Sequence, residues 1–276
     1  MFHPHVIYFF PFDLKKPIFH RCDDFMKFFP ITIHLLINLS HLLILNTLFC
    51  SALVGAAETL IETTEMFIDR ADFVELAADV MSRLVYVDWQ RDLTTNRSRL
   101  LDSGICELCM KLLNKYVTST PIACHCLMTI HNLGQCSTPN IQIKLCESGA
   151  CESIVNALRE NCRTCGSNDE LDIGVAASGL MAIDALTDHF GNEHIVVRET
   201  ISKFVDAGLC EVLISVLEKY AKNCEIQFDW TLQDDNAIES VLDCGQGVIR
   251  NLARRNELVR NRLKHLGAGN WLPELF

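Results

Sequence analysis

The chain holds fourteen cysteines, and they are the first place to look for chemistry. Cys162-Arg163-Thr164-Cys165 is a C-x-x-C pair set among loop-forming residues. A zinc site needs four ligands, so this pair would have to recruit the distant Cys224 or a histidine. A redox role for the same pair would want a strand-to-helix setting, which the sequence does not supply. Cys124-His125-Cys126 puts two thiols beside a base, but adjacent residues on a helix point in different directions. Gly245-Gln246-Gly247 lacks the third glycine and the leading strand of a dinucleotide site, so it reads as close helix packing. No nucleophile elbow, phosphate loop or zinc-protease motif is present in the sequence. These absences describe a chain that is not an enzyme and needs no cofactor or metal.

The remaining cysteines lead to the elements that position them. Asp102-Ser103-Gly104-Ile105-Cys106-Glu107 recurs as Glu147-Ser148-Gly149-Ala150-Cys151-Glu152 and again as Asp206-Ala207-Gly208-Leu209-Cys210-Glu211. A weaker copy is His265-Leu266-Gly267-Ala268-Gly269-Asn270. A second landmark alternates with the first: Ile130-His131-Asn132-Leu133, Ile183-Asp184-Ala185-Leu186 and Ile249-Arg250-Asn251-Leu252. The unit is a short helix, a glycine corner, a middle helix, a loop and a long third helix. An internal repeat of this kind decides the architecture before any other signal.

Glycine suits the corner because a helix that stops and restarts at a steep angle needs φ > 0 or close backbone approach. The acid or Ser just before it is expected to accept N–H bonds from the next helix. The Cys two residues after the glycine is expected to be a buried thiol packed on a neighbouring unit. Leu108, Leu112 and Leu113 continue one apolar helix face. Ile154, Val155 and Leu158, and then Leu213, Val216 and Leu217, repeat it. Phe73, Leu76, Ala77, Val80 and Leu84 predict an earlier helix, the third of a partial first unit. Polar insertions at about 161–173 and 222–235 are expected to be solvated loops.

The apolar-x-x-x-Gly corner, the Leu-rich middle helix and third helices ending as Ile-Arg-Asn-Leu-Ala (Ile249–Ala253) resemble the armadillo repeat family. The resemblance covers roughly 70–276. It implies an all-α, right-handed superhelix of about four repeats whose third helices line a concave groove. In that family an Asn near the end of the third helix bonds the backbone of an extended peptide. Asn132 and Asn251 hold that position, whereas Ala185 interrupts it. An amide both donates and accepts, so it can satisfy a peptide bond without reading its side chain. The rival role for each Asn is a cap on its own helix. Importin-alpha proteins carry a Trp four residues earlier; Met128 and Gly247 stand there, which argues against a nuclear-localisation receptor. The implied groove residues are His131, Asn132, Asp184, Asp188, Arg250, Asn251 and Arg254.

With 49% apolar and 21% charged residues the chain is globular in composition, and a net charge of −11 argues against a nucleic-acid partner. Residues 1–57 stand apart from the repeat domain, 58–276. From Phe28 to Ala57 there is no Asp, Glu, Lys or Arg, long enough for a bilayer span. That apolar N-terminal helical extension reads four ways: a membrane anchor, a cap on the first repeat, upstream sequence outside the working protein, or a cleavable signal. The basic residues before it and the acids after it would place the repeats outside the cell if it spans. The cysteines and the armadillo resemblance point instead to a cytoplasmic repeat domain. At the other end, Trp271, Leu272, Leu275 and Phe276 are either a folded-back cap or an open edge for another chain.

The function these features describe is a protein-binding scaffold that holds an extended peptide. The alternatives are an assembly subunit using its convex face or C-terminal edge, and a thiol or zinc protein using Cys162 and Cys165.

Overall fold

The long third helices pack on one another in series, and this row is the centre of the structure. The computed structural model describes residues 56–86, 101–135, 139–164, 170–187, 195–226 and 235–276. All regular structure among them is helical. The helices are α1 Ala56–Met66, α2 Ala71–Val85, α3 Ile105–Lys115, α4 Thr120–Gly134, α5 Pro139–Glu147 and α6 Ala150–Thr164. They continue as α7 Glu170–Thr187, α8 Ile195–Asp206, α9 Leu209–Ile226, α10 Asp235–Arg255 and α11 Glu257–His265. Two 3₁₀ turns follow, Ala268–Asn270 and Pro273–Leu275. The chain from Ala57 to Phe276 forms one compact unit. The apolar run 28–57 lies outside the described residues except for its last two. Among the described residues no helix is long and apolar enough to cross a membrane.

Helix α4 packs between α2 and α7, and α7 between α4 and α10. The middle helices form a second row, with α6 between α3 and α9. The short helices α5 and α8 pack together in a third. Each middle helix starts at a glycine corner. Gly104, Gly149, Gly208 and Gly267 have φ of 92°, 86°, 89° and 91°, and no other residue described has positive φ. Each corner makes the same bond back into the preceding helix: Gly104 N–H to Leu101 O, Gly149 to Cys146 O, Gly208 to Val205 O and Gly267 to Lys264 O. Going forward, the carbonyls of Gly104, Gly149 and Gly208 accept from Leu108, Ser153 and Val212. Gly104, Gly149 and Gly208 therefore share one hydrogen-bond frame, and Gly267 shares its torsion and backward bond while opening a 3₁₀ turn.

Three expectations need correction. At the second corner the residue before the glycine does not cap the next helix. There the Ser148 hydroxyl donates backward to Lys144 O at 2.8 Å. Leu76 is 40% exposed and Leu84 half-buried. Phe73, Ala77 and Val80 are buried as expected, Phe73 meeting the Phe67 ring at 5.6 Å, and Val74, Ala78, Met81 and Val85 complete the packed face. The insertions are also shorter than their composition suggests, since helix continues to Thr164, resumes at Glu170, and continues again to Ile226. Polar clamps hold the first of these ends: Asn161 Nδ2 donates to Asp172 O at 3.3 Å, and the buried Tyr220 hydroxyl reaches the same carbonyl at 3.0 Å. The stretches 165–169 and 227–234 lie outside the described residues.

The apolar middle-helix faces sit where the spacing puts them, fully buried. Gly179 of α7 and Gly245 of α10 each stand four residues before the second landmark. A Cβ on Gly179 would lie 2.6 Å from Leu158 Cδ2, and one on Gly245 would lie 2.5 Å from Leu217 Cδ2. Both leucines are buried without exposure, so neither can swing aside. The reading of Gly245 as a close-packing residue is correct.

Gly245→Ala gains about 1 kcal/mol of helix propensity but overpacks at a cost of about 1–3 kcal/mol. A double-mutant cycle with Leu217→Ala, followed by urea denaturation, should show the Gly245→Ala cost disappearing once the leucine is shortened. At the corner, Gly208→Ala should lose about 1–2 kcal/mol from the left-handed conformation alone, read as a lower urea midpoint at unchanged slope.

Candidate functional site

The outward side of the α2–α4–α7–α10 row is incompletely covered. On α7 the half-exposed residues are Gly174, Ala177, Met181, Asp184 and Ala185, a single stripe at helical spacing. Half-exposed Cys124, His125 and Met128 on α4 form the neighbouring stripe, and Gln246, Gly247, Arg250 and Asn251 on α10 the other. Cross-helix contacts tie these stripes together. Cys124 Sγ lies 3.5 Å from Ser178 Oγ. His125 Nδ1 lies 3.7 Å from Asp79 Oδ1 on α2, and Arg83 Nε bonds the same carboxylate at 2.8 Å. Asn251 Nδ2 donates to Asp184 Oδ1 at 2.9 Å. Gly247 lies beside the pair, where a Cβ would sit in ordinary contact with the same oxygen at 3.4 Å.

The expected groove residues are thus distributed unequally. Asp184 and Asn251 meet on the open side, Arg250 is half-exposed, and Arg254 is exposed one turn further along. Asn132 is only 7% exposed, and its Nδ2 donates to Ser82 O on α2 at 3.3 Å. His131 is 8% exposed, with Nδ1 3.0 Å from Met181 O and Nε2 3.1 Å from Gln135 Nε2. A carbonyl can only accept, so Nδ1 carries the proton and Nε2 accepts from the glutamine amide. Both residues couple α4 to its neighbours. Asp188 lies outside the described residues.

Burial pushes the His131 pKa down against the partial help of the Met181 carbonyl. Burial also lowers His125, with Asp79 and Glu75 opposing. Cys106 and Cys210 are buried as expected, and burial pushes both thiols up, Cys210 to about 11. Cys106 and Cys109 make a second C-x-x-C on α3, but both thiols are fully buried. Cys162 is half-buried and its partner Cys165 lies outside the described residues. Among the described residues no group of three or more His, Cys, Asp or Glu could hold a metal ion. At the C-terminal end Leu272 is buried and Trp271, Leu275 and Phe276 half-buried. Lys264 Nζ bonds Phe276 O at 3.0 Å, so this segment lies back against α11.

The sequence reading missed a second set of repeated residues, the polar seams between units. Five residues before a corner glycine, Lys144 bonds Leu101 O, and Lys203 bonds Cys146 O at 3.0 Å. At the same place Arg262 pairs with Glu211 at 2.7 Å. Twelve residues after a corner glycine, the Tyr116 hydroxyl donates to Ile68 O at 2.6 Å and Tyr220 to Asp172 O. These columns are visible once the copies are aligned on glycine.

No family model matches the chain, and no curated protein matches it. Among solved structures, the crystal structure of an engineered protein matches over 80% of this chain and 88% of its own. Its identity is 15% and its TM-score 0.40, a likeness too slight to carry an argument on fold or role. The armadillo resemblance therefore rests on the chain's own residues.

Because the His131 pKa is lowered below its ordinary 6.5, the unfolded chain takes up the proton more readily. Its contribution to stability is complete above pH 6.5 and is lost as pH falls through the lower folded value. Thermal midpoints measured from pH 7.5 to 5 should drop, and His131→Gln should flatten part of that slope. Asn132→Ala should cost about 0.5–1.5 kcal/mol in urea denaturation.

Proposed function

We propose that this chain is a non-enzymatic protein-binding scaffold, an armadillo-like right-handed superhelix of about four repeats. It holds an extended segment of a partner along the outer side of α4, α7 and α10. The observation that supports this best is the stripe on α7. Gly174, Ala177 and Ala185 are small and half-exposed there, while Asp184 beside Asn251 offers polar atoms at the edge. A segment bound in this way gains affinity from many shallow contacts plus backbone hydrogen bonds. Asp184 and Asn251 already satisfy each other, so a peptide bond would exchange into that pair. That exchange permits binding without a strong sequence requirement. Arg250 and Arg254 favour an acidic end of the segment over this part of the row, within a chain whose own charge is negative.

In this reading Asn251 carries the peptide-backbone role and Asn132 the structural one. A library of extended peptides displayed on phage and panned against the folded chain tests it directly. Binders should be recovered, and Ala177→Arg should weaken them by about tenfold or more by filling the floor. Glu218→Arg, on exposed surface of α9, should leave them unchanged. Equal loss in both variants, with helicity retained, would rule the groove out.

A further inference from the structure

The second glycine corner differs from the first and third in one respect that bears on covalent chemistry. Cys146, three residues before Gly149, faces Cys151, two residues after it, with the sulfurs 3.9 Å apart. In the first and third corners the place of Cys146 is taken by Leu101 and Val205, opposite Cys106 and Cys210. We propose that Cys146 and Cys151 form a peroxide-responsive disulfide pair across the Gly149 corner, with Cys146 as the attacking thiol and Cys151 as the resolving one.

The surroundings divide these roles. Cys146 retains 7% exposure and Cys151 none, so a small oxidant reaches Cys146 first. The Thr200 hydroxyl lies 3.2 Å from Cys146 Sγ and also donates to Val196 O at 2.8 Å. Its single proton can turn to the sulfur when that sulfur is ionised. Lys203, bonded to the Cys146 carbonyl, adds a positive charge nearby. The hydrogen bond with Cys151 lowers the Cys146 pKa against the opposing effect of burial, with Thr200 and Lys203 helping, while Cys151 is raised. The thiolate is the reactive form, and a lowered pKa makes more of it.

The steps balance. The Cys146 thiolate attacks one oxygen of hydrogen peroxide, forming an S–O bond and breaking the O–O bond. The departing hydroxide takes the proton that Cys146 released and leaves as water. The Cys151 sulfur then attacks the sulfenic sulfur of Cys146, forming the S–S bond and expelling hydroxide, which leaves with the Cys151 proton as a second water. Two thiols are oxidised by two electrons in total and one peroxide is reduced to two waters.

The test uses the full folded chain. It is exposed to hydrogen peroxide, its free thiols are alkylated, and it is cleaved with trypsin. The peptide from Leu145 to Arg159 contains Cys146 and Cys151 and no other cysteine. It should appear unalkylated and two hydrogens lighter, about tenfold sooner or more than Cys106 or Cys210 lose alkylation. In Cys151→Ala, Cys146 should instead be trapped as a dimedone adduct of the sulfenic acid. In Cys146→Val, which copies the third corner, Cys151 should stay as unreactive as Cys210. Alkylation of Cys146 and Cys151 at the pace of Cys106 in the unmutated chain overturns the proposal, as does a Cys151→Ala protein that yields no adduct at Cys146.

Discussion

A left-handed glycine is the constraint on which this structure depends. An L side chain at φ near 90° collides with its own backbone, so the reversal between short and middle helix is confined to the four glycines. The same two hydrogen bonds frame the corner at Gly104, Gly149 and Gly208. Because the turn is repeated with the same torsion, each middle helix leaves its short helix in the same way. The apolar face that begins at the cysteine is then delivered to the same side each time. Three middle helices packed in order, and four third helices packed in order, follow from that one local geometry.

Packing between units is of two kinds. Apolar contact fills the interior, and at Gly179 and Gly245 it is close enough that a single methyl group would not fit without displacement. Polar seams run around it, from Lys144 and Lys203 near the corners to Tyr116 and Tyr220 twelve residues beyond them. Long side chains on one unit thereby reach main-chain oxygens of an adjacent one. A buried hydrogen bond adds modestly to stability, but leaving its acceptor empty costs more, so these seams also fix how units register.

Much of the fold was legible because its signals are local. Glycine corners, apolar spacing and the landmark Ile-x-x-Leu each depend on a few neighbouring residues. The exposed Leu76 was misplaced because several apolar residues on α2 fit more than one helical face, and only the partner helix selects among them. The insertions were overestimated because Asn161 and Asp172 look like loop residues, whereas a distant tyrosine and each other hold them in or beside helix. The candidate site was less legible for the same reason. Asn132 and Asn251 occupy the same place in their repeats, yet one is buried against α2 and the other meets Asp184 at the surface. Their different surroundings come from residues 50 and 67 positions away.

The direction of the seam bonds has a wider meaning. Leu101, Ile68, Cys146 and Asp172 take part through the peptide carbonyl, an atom that every amino acid possesses. At these four joints the acceptor is consequently indifferent to substitution, and only the donor side chain needs to persist; the Arg262–Glu211 joint needs both partners. A lineage built in this way can drift far in primary structure while its joints stay closed, and a unit copied within the gene would find an acceptor ready whatever residues it met.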